Sequence, residues 1–424
     1  MAENRDIIDD LIDIQKGIDA IKNPLGDIPD QIMDSTDPEK PQWNPADYKE
    51  KPRANVTSCL ACTYEKSSCK ACLNACPVNA ISIEEGGIEI RDNCRKCGLC
   101  VAACPTEALF SPRIRPKTVY DNVARAATAY ETAYVTCTRA LRRKPRDNEV
   151  LVACVGDIKA DTWFSILAEF DNVSVYLPLD ICTACRNPGG EDMLYDAIGT
   201  AEEWANAGLG LEIDAKALRC HKAREYERKE FVENVKKSTG VALTNSAKKN
   251  RIVSTASQVS AKLREHTNQI TALEKSLNKA CGTSSQKRRR VLTQGRKLTL
   301  TALQSHPELA KNMQVSFPEC DQEKCTTCGE CVEMCPTHAA DIVGGGRMTV
   351  EPTYCVGCGL CVEVCSAHAL TMTVRDGSDL VVPDTEAEKK AEEAAKAKAE
   401  LEKNKADVKK SVNKALDQVE KLAD

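Results

Sequence analysis

Aromatic residues are scarce in this sequence and make up only 4% of its 424 residues. No apolar run reaches the roughly 18 residues that a membrane-spanning helix needs. The first residues, MAENRDIIDDLIDIQ, lack the basic start and the apolar stretch of an export signal, and no twin arginine opens the chain. We therefore expect a cytoplasmic protein of two or three domains, in which another kind of cross-link supports a core poor in aromatic side chains.

Nucleotide-binding signatures are also missing. No G-x-G-x-x-G follows a strand-like run, and no G-x-x-x-x-G-K-[ST] occurs. The run GGGR at residues 344–347 is interpreted as a hairpin loop. These absences argue against a nucleotide, flavin or pterin site on this chain, so we expect chemistry on a substrate to take place on another protein.

Cysteine is abundant, with 24 residues. In a reducing compartment, many cysteines indicate metal or redox chemistry more often than disulfides. Three runs have the spacing C-x2-C-x2-C-x3-C, which is typical of [4Fe-4S] ligation. They are Cys94, Cys97, Cys100 and Cys104; Cys325, Cys328, Cys331 and Cys335; and Cys355, Cys358, Cys361 and Cys365. Proline follows the fourth cysteine in the first two runs, whereas Ser366 takes its place in the third.

A fourth run is irregular, because Lys66 stands where its first cysteine belongs. One interpretation takes Cys59, Cys62, Cys72 and Cys76, with an enlarged loop between the second and third ligands and with Cys69 spare. The other takes Cys62, Cys69, Cys72 and Cys76 and leaves Cys59 free. We favour the first interpretation because it keeps the initial C-x2-C pair intact. Enlarged loops of this kind occur in the electron-transfer subunits of molybdopterin oxidoreductases, which this run resembles.

The fourth cysteines are followed by PVNAISIEE, PTEALFSPR, PTHAADIVG and SAHALTMTV, each of which predicts a short helical turn and then a strand. On these motifs the chain resembles the bacterial-type dicluster ferredoxins over roughly residues 53–112 and 317–376. The resemblance implies electron transfer through four low-potential [4Fe-4S] clusters, with no substrate bond made or broken at them. It also implies crossed ligation, in which each fourth cysteine binds the cluster of the other run.

The expected ligand sets follow from that crossing. In the first module they are Cys59, Cys62, Cys72 and Cys104 for one cluster, with Cys69 as the alternative ligand, and Cys94, Cys97, Cys100 and Cys76 for the other. In the second module they are Cys325, Cys328, Cys331 and Cys365, and Cys355, Cys358, Cys361 and Cys335. Zinc held by four cysteines is the structural alternative. His338 and His368 are interpreted as packing or surface residues.

Residues 116–222 alternate strand-like apolar runs with helical patterns, which predicts a small parallel α/β domain. The carboxyl ends of its strands carry four cysteines, Cys137, Cys154, Cys182 and Cys185. The segment resembles the iron-sulfur delta subunit of methyl-viologen-reducing hydrogenases, which implies a fifth iron-sulfur site there. A regulatory dithiol at Cys182 and Cys185, or small buried side chains without function, are the alternatives. Cys220, Cys281 and Cys320 are assigned no role.

Charge is unevenly distributed, since His221 to Lys311 contain 20 Lys and Arg against seven Glu and no Asp. We interpret residues 223–316 as a basic helical insert that docks on an acidic partner or on the chain's own acidic termini. A solvated basic face is the alternative, and nucleic-acid binding through KRRR at 287–290 is less favoured because aromatic stacking residues are nearly absent. Residues 1–52 predict a short amphipathic helix and a proline-rich linker, and residues 379–424 a charged helical tail.

The predicted fold class is therefore α+β multidomain. Two ferredoxin-like 2[4Fe-4S] modules, residues 53–115 (module 1) and 317–378 (module 2), flank the α/β domain and the helical insert, with helical tails at both ends. The predicted function is that of an iron-sulfur electron-transfer subunit of an oxidoreductase complex, which relays electrons between donor and acceptor proteins. An oxidoreductase with its own cluster or dithiol in the α/β domain, and an iron-sulfur nucleic-acid-binding protein, are the alternatives.

Overall fold

The computed structural model describes residues 50–84, 86–111, 115–224, 258–344 and 346–383. The predicted N-terminal helix, most of the proline-rich linker, residues 225–257 of the basic insert and nearly all of the charged tail lie outside these residues. By its internal contacts the chain divides into Met1–Val381, which contains every element described below, and Val382–Asp424.

Module 1 consists of short elements arranged around its cysteines. They are β1 (Arg53–Ala54), a 3₁₀ turn (Val56–Ser58), α1 (Leu60–Thr63), α2 (Ala71–Asn74), β2 (Ile81–Glu84), β3 (Gly87–Ile90), α3 (Leu99–Ala103) and β4 (Leu109–Phe110). Strand β1 pairs antiparallel with β4, and β2 with β3. The helices α2 and α3 are about one turn long because Pro77 and Pro105 follow shortly and cannot continue a helix.

The α/β unit contains a parallel four-stranded sheet, as predicted. Its elements are α4 (Pro116–Ala129), β5 (Ala133–Cys137), α5 (Thr138–Leu141), β6 (Glu149–Val152), a 3₁₀ turn (Val155–Asp157), α6 (Ala160–Leu167), β7 (Val173–Tyr176), α7 (Gly190–Ala205) and β8 (Gly210–Glu212). The strand order is β6-β5-β7-β8, and every pair is parallel. Every residue of β5 and β6 is buried, as expected for strands covered on both faces.

Two helices of the basic insert are described, α8 (Gln258–Ala280) and α9 (Gln294–Ser305), followed by a 3₁₀ helix (Pro307–Asn312). Helix α8 packs on α4, where the His266 ring stacks on Tyr120 with the ring centroids 4.0 Å apart. Burial and the nearby Lys117 and Lys262 lower the pKa of His266 to about 4, so this histidine is neutral at physiological pH. None of the helices in the described ranges has both the length and the apolar character needed to cross a bilayer.

Module 2 repeats the plan of module 1. It consists of β9 (Val315–Cys320), α10 (Glu330–Glu333), β10 (Ala340–Val343), β11 (Arg347–Val350), α11 (Leu360–Glu363), β12 (Leu370–Arg375) and a 3₁₀ turn (Gly377–Leu380). Strand β9 pairs antiparallel with β12, and β10 with β11. The β10–β11 pair confirms the hairpin predicted at the glycine run.

One backbone feature recurs four times. The third residue after each fourth cysteine has a positive φ: Asn79 (49°), Glu107 (54°), His338 (55°) and His368 (47°). Asparagine and histidine are enriched in this left-handed conformation, which gives both histidines a place in the backbone turn that leads to the next strand. Because His368 adopts the same turn as the others, Ser366 replaces proline there without redirecting the chain.

Two arginines of the basic run at 287–290 contact module 2. The Arg290 guanidinium forms an ion pair of 3.0 Å with Asp341 of module 2, and the two side chains are only 8% and 5% exposed. Arg288 donates a hydrogen bond of 3.1 Å to the carbonyl oxygen of Glu333. Although burial opposes it, hydrogen bonds from Ser285 and the Arg290 charge hold the pKa of Asp341 below its usual range.

We expect Arg290→Ala to destabilise module 2 by about 3 to 5 kcal/mol, because the substitution leaves the Asp341 carboxylate buried without its cation. The measurement is the urea midpoint of unfolding, followed by circular dichroism. Arg289→Ala is the matched control: the Arg289 side chain is exposed, and we expect an effect within about 0.5 kcal/mol. Equal effects of the two substitutions would contradict a structural role of the buried pair.

Candidate iron-sulfur centres

The first cavity of module 1 gathers four thiols from three parts of the chain. Cys59, Cys69, Cys72 and Cys104 line it, together with apolar side chains that include Ile83. Burial, followed by the neighbouring Cys104, Cys59 and Cys69, raises the pKa of Cys72 to about 11. The fourth cysteine of the regular run therefore reaches across the module to the irregular run.

Cys62 is not among the residues that line this cavity. It lies on α1 beside Cys59, and burial, a hydrogen bond with Cys59 and the charges of Cys59 and Cys72 raise its pKa to about 12. Cys62 is thus also a neighbour of Cys59 and Cys72, so the favoured interpretation stays a prediction, while the cavity places Cys69, from the other interpretation, beside Cys59. Cys69 and Cys72 keep the three-residue step that leads into the α2 turn, as in the regular runs, whereas Cys59 caps α1 and Cys62 lies on it.

The second cavity of module 1 is lined by Cys76, Cys94, Cys97 and Cys100. Burial, followed by Cys97, Cys94 and Cys76, raises the pKa of Cys100 to about 12. Cys72 also contributes to this shift, so the two cysteine sets of the module are neighbours.

Module 2 brings its eight cysteines together in the same crossed way. One cavity is lined by Cys325, Cys328, Cys331 and Cys365, and Cys320 lies on its wall beside Cys325. In the other set, burial and then the neighbouring Cys335 and Cys355 raise the pKa of Cys358 to about 12. Cys361 belongs to this second set, since Cys358, Cys355 and Cys335 all add to the effect of burial in raising its pKa.

The turns that carry these cysteines point backbone N–H groups toward sulfur. In the three regular runs a left-handed glycine, Gly98, Gly329 or Gly359, follows the second cysteine and begins the next helix. The amide N–H of Ala80 donates to Cys76 Sγ at 3.1 Å, and that of Ala369 to Cys365 Sγ at 3.3 Å. Such donors stabilise a thiolate and tune the potential of the cluster that it binds.

The spaces between the thiols suit a body larger than one metal ion. Four sulfurs around a single zinc ion would lie about 3.8 Å apart, given Zn–S bonds of about 2.3 Å. Among the described residues, no three His, Cys, Asp or Glu side chains come close enough to hold a single ion. The donor sets therefore fit a [4Fe-4S] cluster better than zinc.

The four cysteines of the α/β unit lie at the carboxyl edge of the sheet. Burial raises the pKa of Cys182 to about 11, and Cys137 and Cys185 are among the neighbours that contribute. Cys137 in turn is among the groups that raise the pKa of Cys154, after burial and Asp157. The topology thus brings these four cysteines into one neighbourhood.

This edge of the sheet adjoins module 1. Cys154 packs against Cys97 and Leu99, so it lies beside a cysteine of the second cavity. Gly190 makes the approach possible, because a Cβ at that position would lie 2.6 Å from Cys154 Sγ. The sequence pattern predicted that these cysteines lie at strand ends, but it did not predict their contact with module 1.

Two segments of the chain, residues 67–108 and 324–369, match the family model of the 4Fe-4S dicluster domain. No curated protein and no solved structure matches the chain. The first matched segment includes Cys69 and Cys72 and begins after Cys62. The chain therefore contains two dicluster ferredoxin modules, which imply four [4Fe-4S] clusters. Neither match reaches residues 116–222, so the resemblance of that segment to the hydrogenase subunit stays a prediction.

We expect Cys69→Ala to lower the iron content by one cluster, from about 16 to about 12 atoms per chain, because Cys69 lines the first cavity. Cys62→Ala, the matched control on the same loop, should leave the content near 16. Iron and acid-labile sulfide are measured on protein purified without air. The opposite result, with iron lost from Cys62→Ala alone, would restore the interpretation favoured from the sequence.

Proposed function

We propose that the protein is an electron-transfer subunit that relays electrons, one at a time, between a donor and an acceptor oxidoreductase. The observation that supports this most directly is the gathering of sixteen cysteines into four sets of four, arranged as two pairs. A lone set could serve as a structural staple. Paired sets in two modules favour a path for electrons instead.

The proposed ligand sets differ from the sequence-based sets at one residue. In module 1 they are Cys59, Cys69, Cys72 and Cys104, and Cys76, Cys94, Cys97 and Cys100. In module 2 they are Cys325, Cys328, Cys331 and Cys365, and Cys335, Cys355, Cys358 and Cys361. When bound, each cluster accepts and releases one electron without making or breaking a substrate bond.

The chain's own residues set the surroundings of each cysteine set. Arg296 lies on α9 and is buried, and its guanidinium donates a hydrogen bond of 2.7 Å to the carbonyl oxygen of Cys355. This fixed cation lies beside the set that contains Cys355. At the other extreme, Cys328 is exposed, unlike the other fifteen proposed ligands. We infer that a partner protein exchanges electrons at the Cys328 end, where the protein layer over the ligands is thinnest.

A second candidate function is an oxidoreductase with a further cluster or a dithiol in the α/β unit. The convergence of Cys137, Cys154, Cys182 and Cys185 beside Cys97 favours it, because electrons could pass between that site and module 1. Nucleic-acid binding through the basic run is less favoured, since Arg288 and Arg290 are engaged with module 2. We also propose a cytoplasmic location, because thiols stay reduced there and available to bind iron.

We expect protein purified without air to be brown and to contain about 16 iron and 16 acid-labile sulfide atoms per chain, as four cubanes require. More than 16 would support the further site, and Cys137→Ala with Cys182→Ala should then return the value to 16. Colourless protein that contains zinc would contradict the proposed function.

We expect Arg296→Gln to lower the midpoint potential of one cluster by roughly tens of mV, because the added electron loses a nearby cation. Arg296→Lys, which keeps the charge, should shift it less. Redox titration followed by EPR resolves the four potentials, of which three should stay in place. A uniform shift of all four, or none, would show that Arg296 does not act on the set that contains Cys355.

A further inference from the structure

The enlarged loop of the irregular run has a structural role that its spacing does not reveal. Nine residues, 60–68, separate Cys59 from Cys69, where the regular runs have two. Leu60 of this loop is 4% exposed and packs in an apolar cluster with Leu360 and Val364 of module 2. Tyr64, from the next turn of the loop, packs against the same cluster.

Hydrogen bonds extend this contact at the other end of the loop. Ser68 donates both its backbone N–H, at 3.3 Å, and its hydroxyl to the carboxylate of Glu363. Leu360, Glu363 and Val364 are spaced three and four residues apart, so they share one face of α11 and its end. One face of module 2 thus receives the loop at its beginning, middle and end.

Cysteines of both modules border the contact. Cys69 from module 1, and Cys331 and Cys358 from module 2, all pack against the apolar cluster formed by Leu60, Leu360 and Val364. Cys69 is a proposed ligand of the first cavity, and the other two belong to the two sets of module 2. The contact therefore brings proposed ligands of both modules to a single buried apolar patch.

Helix α9 forms hydrogen bonds with both modules independently of this loop. The amide N–H groups of Gln294 and Gly295, at its first turn, donate to the Glu107 carboxylate of module 1 at 2.7 and 2.8 Å. One residue later, Arg296 donates to the carbonyl oxygen of Cys355 in module 2. A single helical turn thus binds both modules, which fixes their relative placement.

We propose that the loop of residues 60–68, seated on the Leu360–Val364 face of α11, is the junction through which electrons pass between the two modules. The inference rests on the proposed function and deepens it, because it makes the four clusters one path within the chain. The step would move one electron from a cluster held by module 1 to a cluster held by module 2, so that the first is oxidised and the second reduced, with no bond or proton changing place. Electron tunnelling falls steeply with distance, so a packed apolar contact between ligands is the favoured crossing.

The irregular spacing then has a purpose. With the regular two-residue spacing, Leu60, Tyr64 and Ser68 would all be absent, and their apolar and hydrogen-bonding contacts with module 2 would be lost. Cys59 and Cys69, at the two ends of the enlarged loop, remain available as ligands, while the residues between them contact module 2.

The test compares two variants of the full chain that each lack one cluster of module 1. Cys59→Ala with Cys104→Ala removes the set at the junction, and Cys94→Ala with Cys97→Ala removes the other set of module 1. Each variant should retain about 12 iron atoms. In the fully reduced state, the EPR signals of module 2 should lose the part of their magnetic broadening that module 1 causes, and relax more slowly, in the first variant only. Identical module 2 signals in both variants would overturn the junction.

A second pair of variants keeps all ligands and applies if a cysteine variant loses more than one cluster. Leu60→Asp places a charge in the apolar contact, and Glu65→Arg changes an exposed side chain of the same loop. Both should contain about 16 iron atoms, and only Leu60→Asp should weaken the coupling between modules. Equal coupling in both would overturn the junction. If the unmodified chain contained no iron, the proposed function would be refuted. Failure of the junction and failure of the proposed function therefore give different results.

Discussion

The fold of each ferredoxin module depends on one constraint, the crossing of its fourth cysteines. Cys104 lies with the irregular run and Cys76 with the regular one, so neither half of module 1 completes a ligand set alone. Strands of two to six residues and helices of one turn bury little apolar surface. Modules of this size are marginal without a further cross-link, and we propose that bonds from sulfur to iron across the two halves supply it.

The same constraint explains the arrangement around the modules. Because the cysteines hold the interior of each module, the residues around them can form contacts with other parts of the chain. Cys154 of the sheet meets Cys97, the loop before Cys69 meets α11, and Arg290 of the basic run pairs with Asp341. Charges that looked like a docking surface for a partner thus serve in part to hold the chain together.

The regular runs could be read from the sequence because their spacing is local, and the parallel sheet because its strands are continuously apolar. The choice between Cys62 and Cys69 could not be read from the sequence, since it depends on how the nine-residue loop packs on module 2. The match of Cys69 and Cys72 to the second and third cysteines of a regular run was a signal in favour of Cys69. The contacts of Leu60 with Leu360 and of Cys154 with Cys97 join residues far apart in sequence, and no local pattern announces them.

Anomalous X-ray scattering at the iron edge, from crystals grown without air, shows whether iron occupies the four cysteine sets. We expect four iron-sulfur cubanes per chain in the positions bounded by the proposed cysteine sets, with Cys69 bound and Cys62 unbound. We also expect clusters of the two modules on either side of the Leu60 contact. Single-atom peaks at the zinc edge, or no metal within the cysteine sets, would contradict these expectations.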